Sequence, residues 1–223
     1  MMPHSDFSKD QGRDIAVCAA FPAALPVTGA AVSIFGTWLP ETAVCATDSL
    51  ASRLDELQFD LGEGPRWEAV RTRLPVLLPY LRSHQHPNWP VYAQAIHETP
   101  VEALFVYPLV VGALDVGVVE LYSDSPEPLG YGDQAIALAL ADRTAWSLLD
   151  RILTINEQHR SAPTEAYPLS RREIHQATGM VLVQLGLTAT EALMRLRAHA
   201  FANDQSVRDV AREVVERTLV FTP

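Results

Sequence analysis

"VEALFVYPLVVGALDVGVVELYS", residues 101–123, is the stretch that decides the fold. Two apolar runs, 101–111 and 115–123, flank a tight turn containing Gly112. Their β-branched and aromatic side chains suit a pleated backbone, and so short a connection returns the chain antiparallel to itself. In the second run Val116, Val118, Glu120 and Tyr122 alternate with the opposite face, which is the period of a strand.

Working outward, "AAVSIFG" (30–36) and "TAVCATD" (42–48) read as two further short strands joined by a turn containing Pro40. "LPVLLPYL" (74–81), with prolines near both ends, reads as an edge strand. Leu50, Leu54 and Leu57 mark a helix over 49–58, a short helical piece surrounds Trp67–Arg71, and 88–98 begins a helix with Pro90 in its first turn. Residues 132–160 form one long helix. Together these predict an α+β domain, an antiparallel sheet with flanking helices, over 14–160. On the long helix Leu138, Ala141, Ala145, Leu148, Ile152 and Ile155 step by three and four. The larger Leu148, Ile152 and Ile155 are the expected contacts of a parallel homodimer, against the plainer alternative that the stripe packs on its own sheet. Residues 161–169, with two prolines, read as a linker.

The remainder, 170–221, is three capped helices. Ser170 precedes Glu173 by three and Thr188 precedes Glu191 by three, both capping-box spacings, and Ser206–Asp209 is a shorter relative. Gly186 and Asn203-Asp204-Gln205 supply the stops, predicting helices near 171–185, 189–202 and 207–219. Their apolar faces are Ile174, Val181 and Leu185 with Thr178 among them, then Leu193, Leu196 and Ala200, then Val207, Val210, Ala211, Val214 and Thr218. Against that core, Arg172, His175, Gln176 and Gly179 share a polar face. Gly179 costs the helix roughly 1 kcal/mol relative to alanine. Either the glycine serves close helix packing, or the face admits unpaired bases that His175 and Gln176 stack on or hydrogen-bond. Arg195 and Arg197 add candidate phosphate contacts.

Charge divides the same way. The chain carries a net -10, but 170–223 hold seven Arg and six Asp/Glu, while the rest holds ten Lys/Arg and twenty-one Asp/Glu. A near-neutral tail binds nucleic acid by a few placed contacts, not by bulk charge. With 48% hydrophobic and 20% charged residues the composition is that of a soluble globular protein, and the expected location is the cytoplasm. Residues 15–40 lack charge, but Pro22 and Pro26 argue against a spanning helix, so no membrane partner is expected. Cys18 and Cys45 show no zinc-type spacing and suit a reducing compartment, though two thiols 27 positions apart can still meet in space. No phosphate loop, His-Glu metal motif or serine elbow appears, so neither an enzyme, a metal site nor a bound cofactor is expected. His84 and His86 read as surface residues, and Glu63, Trp67 and Trp89 as possible cavity lining.

The tail pattern Ser170-Arg-Arg-Glu-Ile-His-Gln-Ala-Thr-Gly-Met, "TEALMRLRAHA" and "SVRDVAREVV" resembles the ANTAR domain. Gln176, Ala177, Gly179, Leu182, Glu191, Leu196, Arg197, Val210 and Ala211 carry the likeness. It implies a three-helix RNA-binding module of bacterial transcription antiterminators, acting as dimers on paired RNA hairpins. Where that family usually has lysine between Ala and Gly, this chain has Thr178. "LGEGPRWEAV", "PLVVGALDVGVVELYSDSP" and the long helix resemble the GAF halves of actinobacterial GAF–ANTAR proteins, which implies a sensory domain answering a small molecule or an upstream signalling protein. A DNA-binding helical regulator and a protein-interaction dimer are the alternatives.

Overall fold

The computed structural model describes residues 7–36, 39–159 and 171–222. The chain divides into two compact units, Met1–Gln58 with Glu63–Ala166, and Phe59–Gly62 with Tyr167–Pro223.

The first unit runs α1 (Phe7–Ala24), β1 (Gly29–Gly36), β2 (Leu39–Ala46), α2 (Ser49–Leu61, whose last turn from Phe59 belongs to the second unit), α3 (Pro65–Thr72), β3 (Val76–Leu78), α4 (Pro90–His97), β4 (Ala103–Val111), β5 (Leu114–Ser123) and α5 (Tyr131–His159). The strands form one antiparallel sheet in the order β2-β1-β5-β4-β3, so the two runs around Gly112 are a hairpin within the sheet and β3 is an edge. Pairs such as Phe105↔Leu121 and Tyr107↔Val119 set its register. Gly117 is required there, because a Cβ would fall 2.1 Å from the Ser33 carbonyl oxygen of β1.

Strand alternation sorts the sheet into two faces. Val32, Phe105, Tyr107, Val119 and Leu121 point to one face, under α1 and α5, where Phe21, Ala141, Ala145 and Leu148 complete the core. Small alanines on α5 let that helix approach the strands closely. The other face carries Ser33, Val118 and Glu120, all buried. A register shift beside Leu109 and Val110 interrupts the alternation expected for β5. Val116 therefore joins the α5 side and not the side of Val118, as an inserted residue requires.

The sequence reading assigns no element to α1. In the structure an alanine-rich helix with Pro22 in its final turn occupies that stretch. Among the described residues no single helix is long and apolar enough to cross a membrane. The sequence leaves open whether the two cysteines meet in space, and in the structure they do. Cys18 of α1 and Cys45 of β2 form a disulfide with Cα atoms 6.0 Å apart, because the β1–β2 hairpin returns the chain to α1.

The second unit holds α6 (Arg172–Leu185), α7 (Ala189–Ala202) and α8 (Val207–Val215). Each helix contributes small buried side chains to its core: Ile174, Ala177 and Val181; Ala192, Leu196 and Ala200; and Val207, Val210, Ala211 and Val214. Helix α8 stops earlier than the spacing predicts. Arg217 turns left-handed at φ 61°, leaving Thr218 exposed outside the helix. The expected linker, 161–169, lies outside the described residues.

Candidate functional site

Local chemistry positions the face of α6. Gly186 ends the helix in the left-handed conformation, φ 66°, which glycine adopts without steric cost. The start differs from expectation: Arg171 is the N-cap, with no side-chain cap bond, and Ser170 lies outside the described residues. On α7 the capping box is complete. Glu191 N–H donates to Thr188 Oγ1 (3.3 Å), and Thr188 N–H donates to the Glu191 carboxylate (2.8 Å). The Thr188 N–H, and then its hydroxyl at 2.7 Å, both donate to the Glu191 carboxylate and hold its pKa below the ordinary value. Asp209 N–H donates to Ser206 Oγ at 3.0 Å and starts α8 in the same manner.

Arg172, Gln176 and Gly179 are exposed and lie along one stripe of α6 at steps of four and three. His175 is half-buried beside them. A Cβ added at Gly179 would meet nothing within 4 Å, so close helix packing does not explain this glycine. Thr178 turns toward the core side and donates its hydroxyl to the Ile174 carbonyl at 2.7 Å. A threonine held in this way offers nothing to a phosphate. On α7 Arg195 is exposed and Arg197 partly buried. Arg212 of α8 pairs with Asp209 at 3.2 Å.

Sequence reasoning missed the apolar part of this surface. Val183 is 78% exposed and extends the Arg172–Gln176–Gly179 stripe by one more turn, and Met194 and Phe201 are exposed on α7. The signal lay in their spacing: each falls off its helix's core face.

Two of the three expected dimer residues are buried within their own chain. Leu148 and Ile152 are only 2% and 8% exposed, packed into the core of their own sheet domain, and the side chain of Ile155 lies outside the described residues. Leu138, at the head of the same stripe, is 51% exposed, and Trp146 (56%) and Leu153 (54%) are exposed further along the helix.

Beneath the second face of the sheet lies a feature that motif reading did not find. Arg66 of α3 is fully buried among three carboxylates: Glu41 of β2 (2.9 Å), Asp55 of α2, and Glu120 of β5 (2.8 Å). Ser33 Oγ donates to Asp55, and Gln58 Nε2 donates to Glu120 at 2.5 Å. Burial opposes the guanidinium's charge, yet Asp55, Glu120 and Glu41 outweigh it and hold its pKa above the ordinary value. The Tyr92 hydroxyl is buried nearby with no hydrogen-bond partner among the described residues. Burial first, and then the charge of Glu120, push its pKa well up.

The residues read as cavity lining serve structure. Glu63 accepts a hydrogen bond from the Tyr92 N–H of α4 at 2.7 Å, Trp67 stacks on Phe35, and Trp89 is sandwiched by His86 and Tyr92. His84 and His86 border an open cleft of about 460 Å³ together with Arg82 and His97. Both are tied to main-chain carbonyls, those of Tyr80 and Leu81. No group of three His, Cys, Asp or Glu among the described residues is placed to hold a metal.

Comparison with known proteins agrees with the two-part reading. The family profile of the ANTAR domain matches residues 157–215. Curated proteins give no match. The sheet domain is similar to a domain assigned to a two-component sensor histidine kinase protein from Sinorhizobium meliloti, at 17% identity and TM-score 0.53, covering 70% of this chain and 99% of that one. It is also similar to a GAF domain/HD domain protein from Geobacter sulfurreducens (16%, TM-score 0.51, 65% and 95%). A third neighbour is the GAF domain of a two-component sensor histidine kinase from Bacillus halodurans (12%, TM-score 0.50, 66% and 96%). The chain thus joins a domain of GAF fold to an ANTAR domain, and the ANTAR domain implies RNA-binding antitermination regulation.

Proposed function

We infer that this protein is a signal-responsive regulator that binds paired RNA hairpins through α6 and releases transcription from an overlapping terminator. The observation that carries the reading is Gly179. It gives up helix stability in open solvent, midway along an exposed stripe with Arg172 and Gln176, so its return is sought outside the fold. A missing side chain lets a base or the RNA backbone approach the helix closely. Gln176 supplies hydrogen bonds, Arg172 and Arg195 meet phosphates, and Phe201 offers a face for a splayed base. Since Thr178 gives no cation, recognition leans on shape and hydrogen bonding.

The active species is a homodimer paired through the exposed apolar residues of α5, Leu138, Trp146 and Leu153, since the inner stripe is already occupied. The GAF-fold domain is the sensory part, answering a small molecule or an upstream signalling protein. The protein acts in the cytoplasm, and its role is regulatory, not catalytic. Gel-shift titration with paired hairpins tests this. Arg172→Glu is expected to weaken binding at least about tenfold and to lower the salt slope by about one phosphate contact. RNA affinity unchanged in Arg172→Glu and Gln176→Ala, or preference for duplex DNA in competition, overturns it.

A further inference from the structure

The disulfide sits where a covalent bond changes what α1 can do. Helix α1 holds the sheet through buried Cys18 and Phe21, with Val17 partly buried beside them and buried Leu25 just past the helix end. Before it, Ile15 is exposed, and Asp14 pairs with Arg151 of α5, including a bond of 3.3 Å from Arg151 Nη2. Among the described side chains, the front of α1 is held by the Cys18–Cys45 bond to the sheet, by Val17 packed against the core, and by the Asp14 ion pair to α5. Cys45, the less buried of the two, is partly exposed and lies on β2, an edge strand of the sheet. These are the chain's two cysteines, so neither has another thiol in the chain to exchange with.

We propose that Cys18 and Cys45 are a peroxide-sensing redox pair whose oxidation pins α1 beside α5 and whose reduction frees its N-terminal half. The proposal takes only its output from the RNA-regulator reading. A protein that works on nascent RNA works where thiols are kept reduced, and there a disulfide is a transient signal, not a permanent staple. The chemistry balances with a hydroperoxide as oxidant. The Cys45 thiolate attacks the peroxide oxygen, the O–O bond breaks, and an alcohol or water leaves with the proton, giving the sulfenic acid. The Cys18 sulfur then attacks the Cys45 sulfur, the S–O bond breaks, water departs, and the S–S bond forms. Two thiols have lost two electrons and two protons, and the peroxide has accepted them. A thiol reductant reverses the change by exchange at Cys45, the less buried of the two. Because Asp14 grips Arg151, the state of α1 is felt on α5, the helix that precedes the ANTAR domain in the sequence.

The test uses the full-length chain, fully reduced and then titrated with hydrogen peroxide, with thiol alkylation and mass spectrometry to follow the bond. Both thiols should disappear together in the monomer, with loss of two hydrogens and no added oxygen. Amide exchange at residues 8–18 and 146–154 should then slow about tenfold. Cys18→Ser and Cys45→Ser should each keep the fast exchange whatever the peroxide. Paired-hairpin affinity should differ at least about threefold between the two wild-type forms and not at all in the double variant. Sulfinic acid in place of the bridge, or equal exchange in both forms, overturns the proposal without mutation. Slowed exchange with equal RNA affinity in both forms overturns its output. Failure to bind RNA in either form, with the exchange switch intact, instead overturns the RNA reading alone.

Discussion

The two units use their polar residues differently. The sheet domain draws Arg66, Glu41, Asp55 and Glu120 inward and knits α2 and α3 to β2 and β5 around them. The helical unit buries a mainly apolar core with one cation, Arg171, stacked on the ring of Phe59, and turns Arg172, Gln176 and a bare Gly179 to solvent. The difference teaches where to look for function. A buried charge is tied to its neighbours and speaks for the fold, whereas an exposed residue that costs stability and touches nothing speaks for a partner.

The largest test of that contrast is Arg66→Met. It leaves three carboxylates beneath the sheet without their cation, and breaking a buried pair of this kind costs about 3–5 kcal/mol. Urea unfolding should show a sharply lower midpoint for the sheet domain. A loss below about 1 kcal/mol would mean that the carboxylates rehydrate easily, and the cluster would then be no keystone.

Helix α5 sharpens the comparison within one element. Leu148→Ala empties a core site and should cost about 2–5 kcal/mol, with little change in self-association. Trp146→Ala, on the exposed stripe, should leave the monomer's stability within about 0.5 kcal/mol and weaken the dimer, as seen by analytical ultracentrifugation. The reverse pattern would restore Leu148 as the dimer contact.

This helix also shows how far the sequence could be read. The strands, most helices, the α7 capping box and the Gly186 stop were legible because each rests on chemistry within a few residues. The face of α5 was not, since Leu138 is exposed while Ala141, Ala145, Leu148 and Ile152 are buried. Stripes one residue apart are indistinguishable by periodicity when a helix is apolar on both sides. Arg66 stayed hidden because its partners come from β2, α2 and β5, and no local pattern announces them. The disulfide stayed hidden because α1 has no strong amphipathic signature. Among the site residues, Arg172, Gln176 and Gly179 emerged from spacing, while Val183 and Phe201 needed the fold to show that nothing covers them.

Titration gives a smaller contrast between the units. Burial raises the Tyr107 and Tyr122 phenols to about 12, and it raises Tyr92 as well. In each case the folded pKa exceeds the unfolded value near 10. Tyr107 and Tyr122 therefore contribute fully below pH 10 and lose that contribution as pH climbs from 10 through about 12, and Tyr92 loses its own in the same direction. The helical unit faces the opposite limit. Glu191 has a lowered pKa, so its capping contribution is present above the unfolded value of 4.5 and is lost as pH falls through the folded one. Circular dichroism should show the tyrosine-rich sheet domain failing first in alkali. Replacing Glu191 by Gln should flatten the acid limb of the helical unit and leave the alkaline limb unchanged.

The smallest expected effect discriminates best, because its two readouts move in opposite directions. Gly179→Ala adds a methyl group into open space on an exposed helix face. Nothing clashes, and the unfolded chain loses freedom, so the helical unit should gain about 0.5–1 kcal/mol. A glycine kept only because it is harmless would give a stabler domain with unchanged RNA affinity. A glycine kept for close approach of a base or sugar would give a stabler domain that binds paired hairpins several-fold more weakly, with the salt slope unaltered because no charge has changed. Arg172→Glu does the converse, changing the slope and leaving stability nearly untouched. The two variants together separate shape from charge on α6, the division that the loss of lysine at Thr178 leads one to expect.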